Sequence, residues 1–148
     1  MSEELQARQR WMAVLAKASS DAIRARLNAA PALPAHTRLR GPETGLVMLR
    51  GRAGGDGNAF NLSEMTVTRC AVTLESGTVG HAYVAGRDRD QAELAAVLDA
   101  ALQDEATRAP LLEAVIEPLA AAQAEARATE ARKAAATRVQ FFTMANMR

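Results

Sequence analysis

The segment Met65–Ala85 reads MTVTRCAVTLESGTVGHAYVA, and its pattern decides the centre of the fold. Its first part, Met65–Leu74, is rich in Val and Thr, which are favoured in β-strands. Residues 75–77 (ESG) are typical of a hairpin turn, and Thr78–Ala85 has the composition of a returning strand. Upstream, Leu46–Leu49 is a further short apolar run. The sequence therefore predicts a small antiparallel sheet.

The apolar side chains of the central strand change face along its length. Met65 and Val67 point to one face, whereas Val72 and Leu74 point to the other. A β-bulge midway along the strand, or burial of the strand on both faces, would account for this change.

Residues 1–30 predict a helical hairpin that precedes the sheet. Apolar residues recur at helical spacing in its first half. Ser20 and Asp21 offer N-cap oxygens to the second helix, and Pro31 and Pro34 stop it.

Residues 88–137 predict the helices that follow the sheet. Asp88 or Asp90 caps the first of them, whose apolar residues form a continuous stripe. Pro110 opens the next helix, and Pro118 either kinks that helix or begins a fresh segment.

The alanine-rich segment Ala120–Thr137 carries scattered charges and almost no bulky apolar stripe. We expect a long helix that projects from the fold or packs on another chain. The tail that follows, residues 138–148, contains Phe141, Phe142 and Met144. It either folds back onto the core or anchors in a pocket of a partner, since aromatic residues and Met dominate interface hot spots.

The length of 148 residues fits one α+β domain better than two. Apolar residues make up 49% of the chain but aromatic residues only 3%, so the core is built mainly from Leu, Val, Met and Ala. Such a core buries little area per residue and gives an isolated chain modest stability. The domain order is a helical hairpin (1–30), an antiparallel sheet (37–86), helices (88–137) and a tail (138–148).

The charge is balanced, with 18 basic and 17 acidic residues and a net charge of +1, which argues against nucleic-acid or membrane binding. The single cysteine, Cys70, excludes an internal disulfide, and no Cys-x-x-Cys pair is present to hold zinc or an iron–sulfur cluster. The polar segment Met1–Arg10 lacks the apolar run of a signal peptide or membrane helix. We expect a cytoplasmic protein without a metal site.

The sequence offers few groups for catalysis. His36 and His81 are the two imidazoles and do not form a metal-spaced pair. A packed or hydrogen-bonded role is favoured for His81, and a buried small residue is the favoured interpretation of Cys70 beside Arg69. We predict no catalytic residue.

Arg50 and Arg52 lie in phase beside a glycine-rich stretch, GRAGGDG at residues 51–57. Guanidinium groups and glycine amides together can hold phosphate. The Gly-Lys-Ser/Thr ending of a Walker loop is absent, and Phe60 replaces the third glycine of a dinucleotide fingerprint. A simple connection between strands is the favoured interpretation.

Glu64, Thr66 and Arg69 form a second polar cluster together with Thr68. On an exposed sheet face these side chains could contact a partner or a ligand. Equally, Thr is a good strand former, and an exposed Glu–Arg pair contributes less than about 1 kcal/mol. The spacing leaves both interpretations open.

Six short strings occur in one order along nearly the whole chain: RQRWM (8–12), PETGLV (42–47), GGDG (54–57), TVTR (66–69), GRD (86–88) and VQFFTM (139–144). In this combination the sequence resembles the PhnG family of the carbon–phosphorus lyase system. Gln140 departs from the family pattern, in which that position is typically acidic. Neither Cys70 nor His81 belongs to these strings.

The resemblance implies a subunit of the bacterial phosphonate-degrading machinery, assembled with PhnH, PhnI and PhnJ. In that pathway an early step joins a phosphonate to the ribose of ATP, displaces adenine and leaves a ribose 1-phosphonate 5-triphosphate. An iron–sulfur cluster and S-adenosylmethionine are expected only on the partner PhnJ, so this chain itself needs no cofactor. No catalytic residue is carried over from the family.

Three hypotheses follow for the role of the chain. It is an assembly subunit that holds a nucleotide-processing partner in shape, or it places Arg50, Arg52 or Arg69 in a shared phosphate-binding active site. The third hypothesis is a free-standing module that binds a small molecule or RNA. The low net charge and the lack of a stacking aromatic platform argue against RNA.

Overall fold

The computed structural model describes residues 3–54 and 57–139. Within these ranges, helices pack on one face of a three-stranded antiparallel sheet in the order β1-β2-β3. The predicted α+β class, with N-terminal helices, an antiparallel sheet and a long C-terminal helix, is confirmed. The elements in chain order are α1 (Glu3–Leu15), α2 (Ser20–Leu27), β1 (His36–Gly51), β2 (Phe60–Leu74), β3 (Val79–Ala85), α3 (Arg89–Leu102), α4 (Glu105–Leu111), a π-helical turn (Leu112–Ile116) and α5 (Glu117–Ala136).

β2 and β3 form the hairpin that the central segment predicts. Residues 67–73 pair with residues 79–85 without any shift of register. The Gly77 amide closes the turn by donating to the Leu74 carbonyl at 2.9 Å. Gly77 has a φ of 86°, a conformation that glycine adopts without steric cost.

The change of face in β2 reflects buried residues on both sides of the strand. Thr68, Cys70, Val72 and Leu74 are buried against the helices, and Val67 on the opposite face is only 4% exposed. The unbroken register with β3 leaves no bulge between these two strands. Burial on both faces therefore accounts for the pattern.

β1 is much longer than the predicted apolar run at residues 46–49. It spans 16 residues and stays paired with β2 through register shifts between Arg38 and Glu43 and again after Leu49. Such irregularities accommodate Pro42, which has no amide hydrogen for a strand ladder. Among the described residues, no strand pairs with the outer edge of β1.

α3 lies between the sheet and the N-terminal helices. Of the two residues expected to cap it, Asp88 and Asp90, Asp88 is the N-cap. The Asp88 carboxylate accepts hydrogen bonds from the Gln91 amide at 2.9 Å and the Ser20 hydroxyl at 2.8 Å. These bonds, the first above all, hold the pKa of Asp88 below its usual range. The buried residues of α3 cover far more than one stripe: Gln91, Ala92, Ala95, Ala96, Val97, Leu98, Asp99, Ala100, Ala101 and Leu102.

The predicted caps of α2 are wrong by one residue. Ser19 is the N-cap, because its side chain accepts a hydrogen bond from the Ala22 amide at 3.2 Å. Ser20 is instead used to join α2 to the start of α3 through Asp88.

The prediction that Pro110 opens a helix is also wrong. Asp104 caps α4 by accepting from the Ala106 amide at 3.0 Å, so Pro110 lies inside the helix. Proline cannot make the usual helical hydrogen bond, and the π-helical turn that follows absorbs the irregularity. Pro118 lies in the first turn of α5, which agrees with a fresh segment there.

α5 is held to the fold only near its start. Leu119 is its one buried residue within the described chain, and the Gln123 side chain donates to the Val14 carbonyl at 2.9 Å. Residues 130–139 are exposed throughout. No helix in the described ranges is long and apolar enough to cross a membrane. The predicted tail anchors Phe141, Phe142 and Met144 lie outside the described residues.

Gly80 lets β3 approach α3 closely. A Cβ atom at this position would lie 2.6 Å from the Ala100 amide nitrogen and would also collide with the Ala96 carbonyl. Both obstacles are backbone atoms, which cannot move without displacing the helix.

Asp99 is a buried carboxylate that joins three elements. It accepts hydrogen bonds from the Arg8 guanidinium at 2.8 and 3.1 Å and from the Trp11 indole at 2.9 Å, both on α1. It also accepts one from the His81 amide at 2.9 Å, on the edge of β3. Asp99 is fully buried, so these partners replace its water of hydration.

We predict that Gly80→Ala lowers the free energy of unfolding by about 3 kcal/mol, because the added methyl group overpacks the sheet–helix contact. Gly45→Ala on β1 is the matched control, since its Cβ meets nothing within 4 Å. Urea unfolding of both variants measures the difference. Equal stability of the two variants would contradict the close approach of β3 to α3.

We predict that Asp99→Ala destabilises the fold by about 3–5 kcal/mol, because Arg8, Trp11 and the His81 amide lose a shared acceptor. Glu117→Ala serves as the control. Glu117 pairs with Arg10 at 2.7 Å, but both side chains are about half exposed, so this loss is below about 1 kcal/mol. Thermal and urea unfolding compare the stabilities of the two variants. Similar losses of stability would show that Asp99 does not join the three elements in the way described.

Candidate functional site

The distal half of the β1–β2 hairpin extends beyond the rest of the sheet. β3 pairs with β2 only over residues 67–73, whereas β1 and β2 stay paired out to Gly51 and Phe60. Residues 46–51 and 60–66 therefore form a projecting two-stranded ribbon, which we call the β-ribbon. An isolated two-stranded ribbon is only marginally stable in water.

The β-ribbon exposes large apolar side chains. Side chains alternate along a strand, so Leu46 and Met48 lie on one face and Val47 and Leu49 on the other. Exposed apolar residues concentrated in one element mark an interaction surface. The exposed members are Leu46 (63%), Met48 (54%), Leu49 (40%), Phe60 (48%) and Leu62 (50%).

Arg50 and Arg52 lie at the tip of the β-ribbon and do not share a strand face. Arg50 donates to the Ala59 carbonyl at 3.2 Å across the base of the loop. Arg52 lies beyond Gly51, the last residue of β1, and is exposed. The expectation that both arginines lie in phase on one strand is wrong, because the strand ends between them.

Glu64, Thr66 and Thr68 follow one face of β2 but have different surroundings. Glu64 is exposed and Thr66 half-buried, whereas Thr68 is fully buried. The Thr68 hydroxyl donates to the Gly86 carbonyl at 2.8 Å and lies 3.1 Å from the Thr44 hydroxyl. Thr68 is thus part of the packed structure, whereas Glu64 and Thr66 remain available to a partner or a ligand on the β-ribbon.

Arg69 pairs with Glu43 on β1. Its Nε donates to the Glu43 carboxylate at 2.6 Å, and Arg40 donates to the same oxygen at 2.9 Å. The Arg69 bond, and with it the charge of Arg40, holds the pKa of Glu43 below its usual range. Sequence reasoning missed Arg40 and Glu43, because the register across the irregular part of β1 could not be known.

The three arginines singled out from the sequence do not form one group. Arg50 lies beside Asn61, and Arg69 lies eight residues further along the same strand, which is about 26 Å at the usual rise per strand residue. Arg69 therefore belongs to a different surface from Arg50 and Arg52.

Cys70 and His36 both contact other parts of the fold. Burial raises the pKa of the Cys70 thiol, which lies 3.4 Å from the Arg40 carbonyl. His36 lies 3.3 Å from Glu93, which also binds Arg38. Within the described ranges, no cluster of His, Cys, Asp and Glu is suited to a metal ion.

Comparison with known proteins agrees with the resemblance found in the sequence. Residues 6–146 match the family model described as phosphonate metabolism protein PhnG. A similar protein is the alpha-D-ribose 1-methylphosphonate 5-triphosphate synthase subunit PhnG of Rhizobium meliloti (strain 1021). The two are 44% identical over 137 residues, which cover 93% of this chain and 87% of the relative. The chain therefore belongs to the PhnG family of phosphonate metabolism proteins.

Proposed function

We propose that this chain is a non-catalytic subunit of a synthase complex that transfers a phosphonate to the ribose of ATP with release of adenine. The β-ribbon carries this proposal. It exposes apolar side chains on an element that has no third strand to support it within the described chain. Packing against another subunit would bury these side chains and stabilise the ribbon.

In the described residues we find no assembled set of catalytic groups, which supports a role through other subunits. Cys70 is buried, and His36 is engaged near Glu93 and Arg38. Neither has the paired base or nucleophile that acid–base or covalent catalysis uses. The chain therefore acts by shaping or holding its partners.

The partners in this proposal are PhnH, PhnI and PhnJ, in a cytoplasmic hetero-oligomer. ATP is a substrate of the complex. Membership of the family implies that the iron–sulfur cluster and S-adenosylmethionine belong to a partner, and the single, buried cysteine of this chain agrees with that assignment. The long exposed half of α5 offers a second surface for assembly.

The alternative hypothesis, that Arg50, Arg52 or Arg69 enters a shared phosphate-binding active site, is restricted to either the tip of the β-ribbon or Arg69, because these arginines do not act together at one phosphate. The separation of about 26 Å along the strand keeps a single phosphate group from contacting both ends. A free-standing binding module is also disfavoured, since it would leave the apolar β-ribbon in water.

We predict that the double variant Leu46→Thr/Met48→Thr lowers co-purification of this chain with co-expressed PhnH, PhnI and PhnJ at least tenfold. Thr keeps the preference for a strand but removes apolar contact area. Tagged pull-down followed by mass measurement gives the result. Leu39→Thr is the matched control, because Leu39 is a 59% exposed leucine on β1 outside the β-ribbon.

Undiminished co-purification of the double variant, or a chain that stays a lone monomer among these partners, would contradict the proposal. Adenine release by the purified complex separates assembly from chemistry. Arg50→Gln and Arg52→Gln should each keep normal adenine release when assembly is normal. Full activity of the partners without this chain would also contradict a subunit role.

A further inference from the structure

The open face of the sheet, opposite α3, carries two rows of side chains, most of them polar. Directly opposed residues in an antiparallel sheet share a face. The register therefore aligns Arg40, Ala71 and His81 in one row across the three strands. The adjacent row is Glu43, Arg69 and Tyr83.

A cavity of about 390 Å³ is bordered by residues of both rows and by Met12 on α1. Its polar lining comes from Arg40, Arg69, His81 and Tyr83. A second cavity of about 240 Å³ shares Arg69 and Tyr83 with the first and reaches Leu46 on the β-ribbon. The two cavities therefore meet around Arg69 at the root of the ribbon.

The charges around the cavity leave an excess of one cation. Arg40 and Arg69 both pair with Glu43, so two guanidinium groups share a single carboxylate. Glu43 also restricts the side chains of Arg40 and Arg69, so less conformational entropy is lost when a ligand binds them.

Several hydrogen-bond donors at this cavity have no acceptor among the described residues. Within the described chain, neither Nη of Arg69 donates a hydrogen bond, and Arg40 uses one Nη only. The Tyr83 hydroxyl and the His81 ring likewise have no hydrogen-bond partner there. Donors from two strands and a tyrosine hydroxyl thus converge on one open space.

We propose that this open face binds an oxyanion of the phosphate type, a phosphonate or a phosphate group of a nucleotide, through Arg40, Arg69 and Tyr83. Guanidinium forks bind such oxygens in pairs, and a tyrosine hydroxyl donates a further bond. His81 completes the border of the site. The site rests on geometry, whereas the choice of a phosphate-type ligand rests on the proposed function.

The location brings the site close to the proposed docking surface. The second cavity runs from Arg69 to Leu46 on the β-ribbon, so a subunit docked on the ribbon that also covered this cavity would exclude water from the site. Exclusion of water by that subunit would strengthen the attraction between the guanidinium groups and an anion. The chain would then hold an anion at a subunit boundary without taking part in bond making or breaking.

The test is a titration of the full-length chain with methylphosphonate, and separately with ATP, followed by ¹⁵N NMR. We expect saturable shifts at the His81 and Tyr83 amides and at the Arg69 Nε. Arg69→Gln should weaken binding at least tenfold, and Tyr83→Phe about threefold. Arg50→Gln removes the same charge at the tip of the β-ribbon and should leave binding unchanged.

Four outcomes would overturn the proposal: no saturable shift at millimolar ligand, equal weakening by Arg69→Gln and Arg50→Gln, unchanged binding by Arg69→Gln, or acetate bound as tightly as methylphosphonate. Unfolding curves check that the variants remain folded. The pull-down with PhnH, PhnI and PhnJ reads assembly independently of this titration. If Arg69→Gln impairs the pull-down but not anion binding, the cluster is a partner contact and the proposal is wrong.

Discussion

The buried carboxylate of Asp99 is the interaction on which the arrangement of the whole chain depends. It lies in the last turn of α3. It binds α1 through Arg8 and Trp11, and the edge of β3 through the His81 amide. A buried charge is stable only when such partners surround it. Because all of them come from outside α3, the carboxylate fixes the helix layer and the sheet relative to each other. The Gln103 side chain extends this connection by donating to the Val79 carbonyl at 2.9 Å.

This connection makes the two edges of the sheet different. The edge at β3 is partly closed by α3. The Asp99 side chain accepts a hydrogen bond from the His81 amide, and the side chain of the C-cap residue Gln103 donates to the Val79 carbonyl. The edge at β1 has no strand beside it in the described ranges, and beyond residue 44 it carries no proline or acidic side chain to oppose pairing. The fold therefore directs its unsatisfied surface to the β1 side and to the β-ribbon. A chain with this asymmetry is suited to assembly through one side.

Local patterns predicted those parts of the fold that local interactions determine. The hairpin at residues 65–85 and a cap at the start of α3 could be predicted from the sequence, because turn residues and capping oxygens act within a few positions. The hydrogen bonds of Asp99 could not be predicted from the sequence, since its partner Arg8 lies 91 positions away. The pairing of Arg69 with Glu43 depended on register shifts in β1 that no residue pattern specifies. The sequence thus identified Arg69 as a candidate but grouped it with distant arginines.

The proposed docking surface on the β-ribbon and the proposed anion site around Arg69 are related in function. An exposed pair of arginines around one carboxylate contributes little in water, where solvent screens the charges. Leu46 of the apolar ribbon borders a cavity that Arg69 also lines, so a docked subunit that covered this cavity would displace that water. Assembly through the β-ribbon would therefore convert a weak surface cluster into a stronger anion site, since electrostatic attraction rises as the local dielectric falls. In this proposal, a subunit that makes and breaks no bonds itself would contribute to the reaction of the complex through an anion site that assembly strengthens.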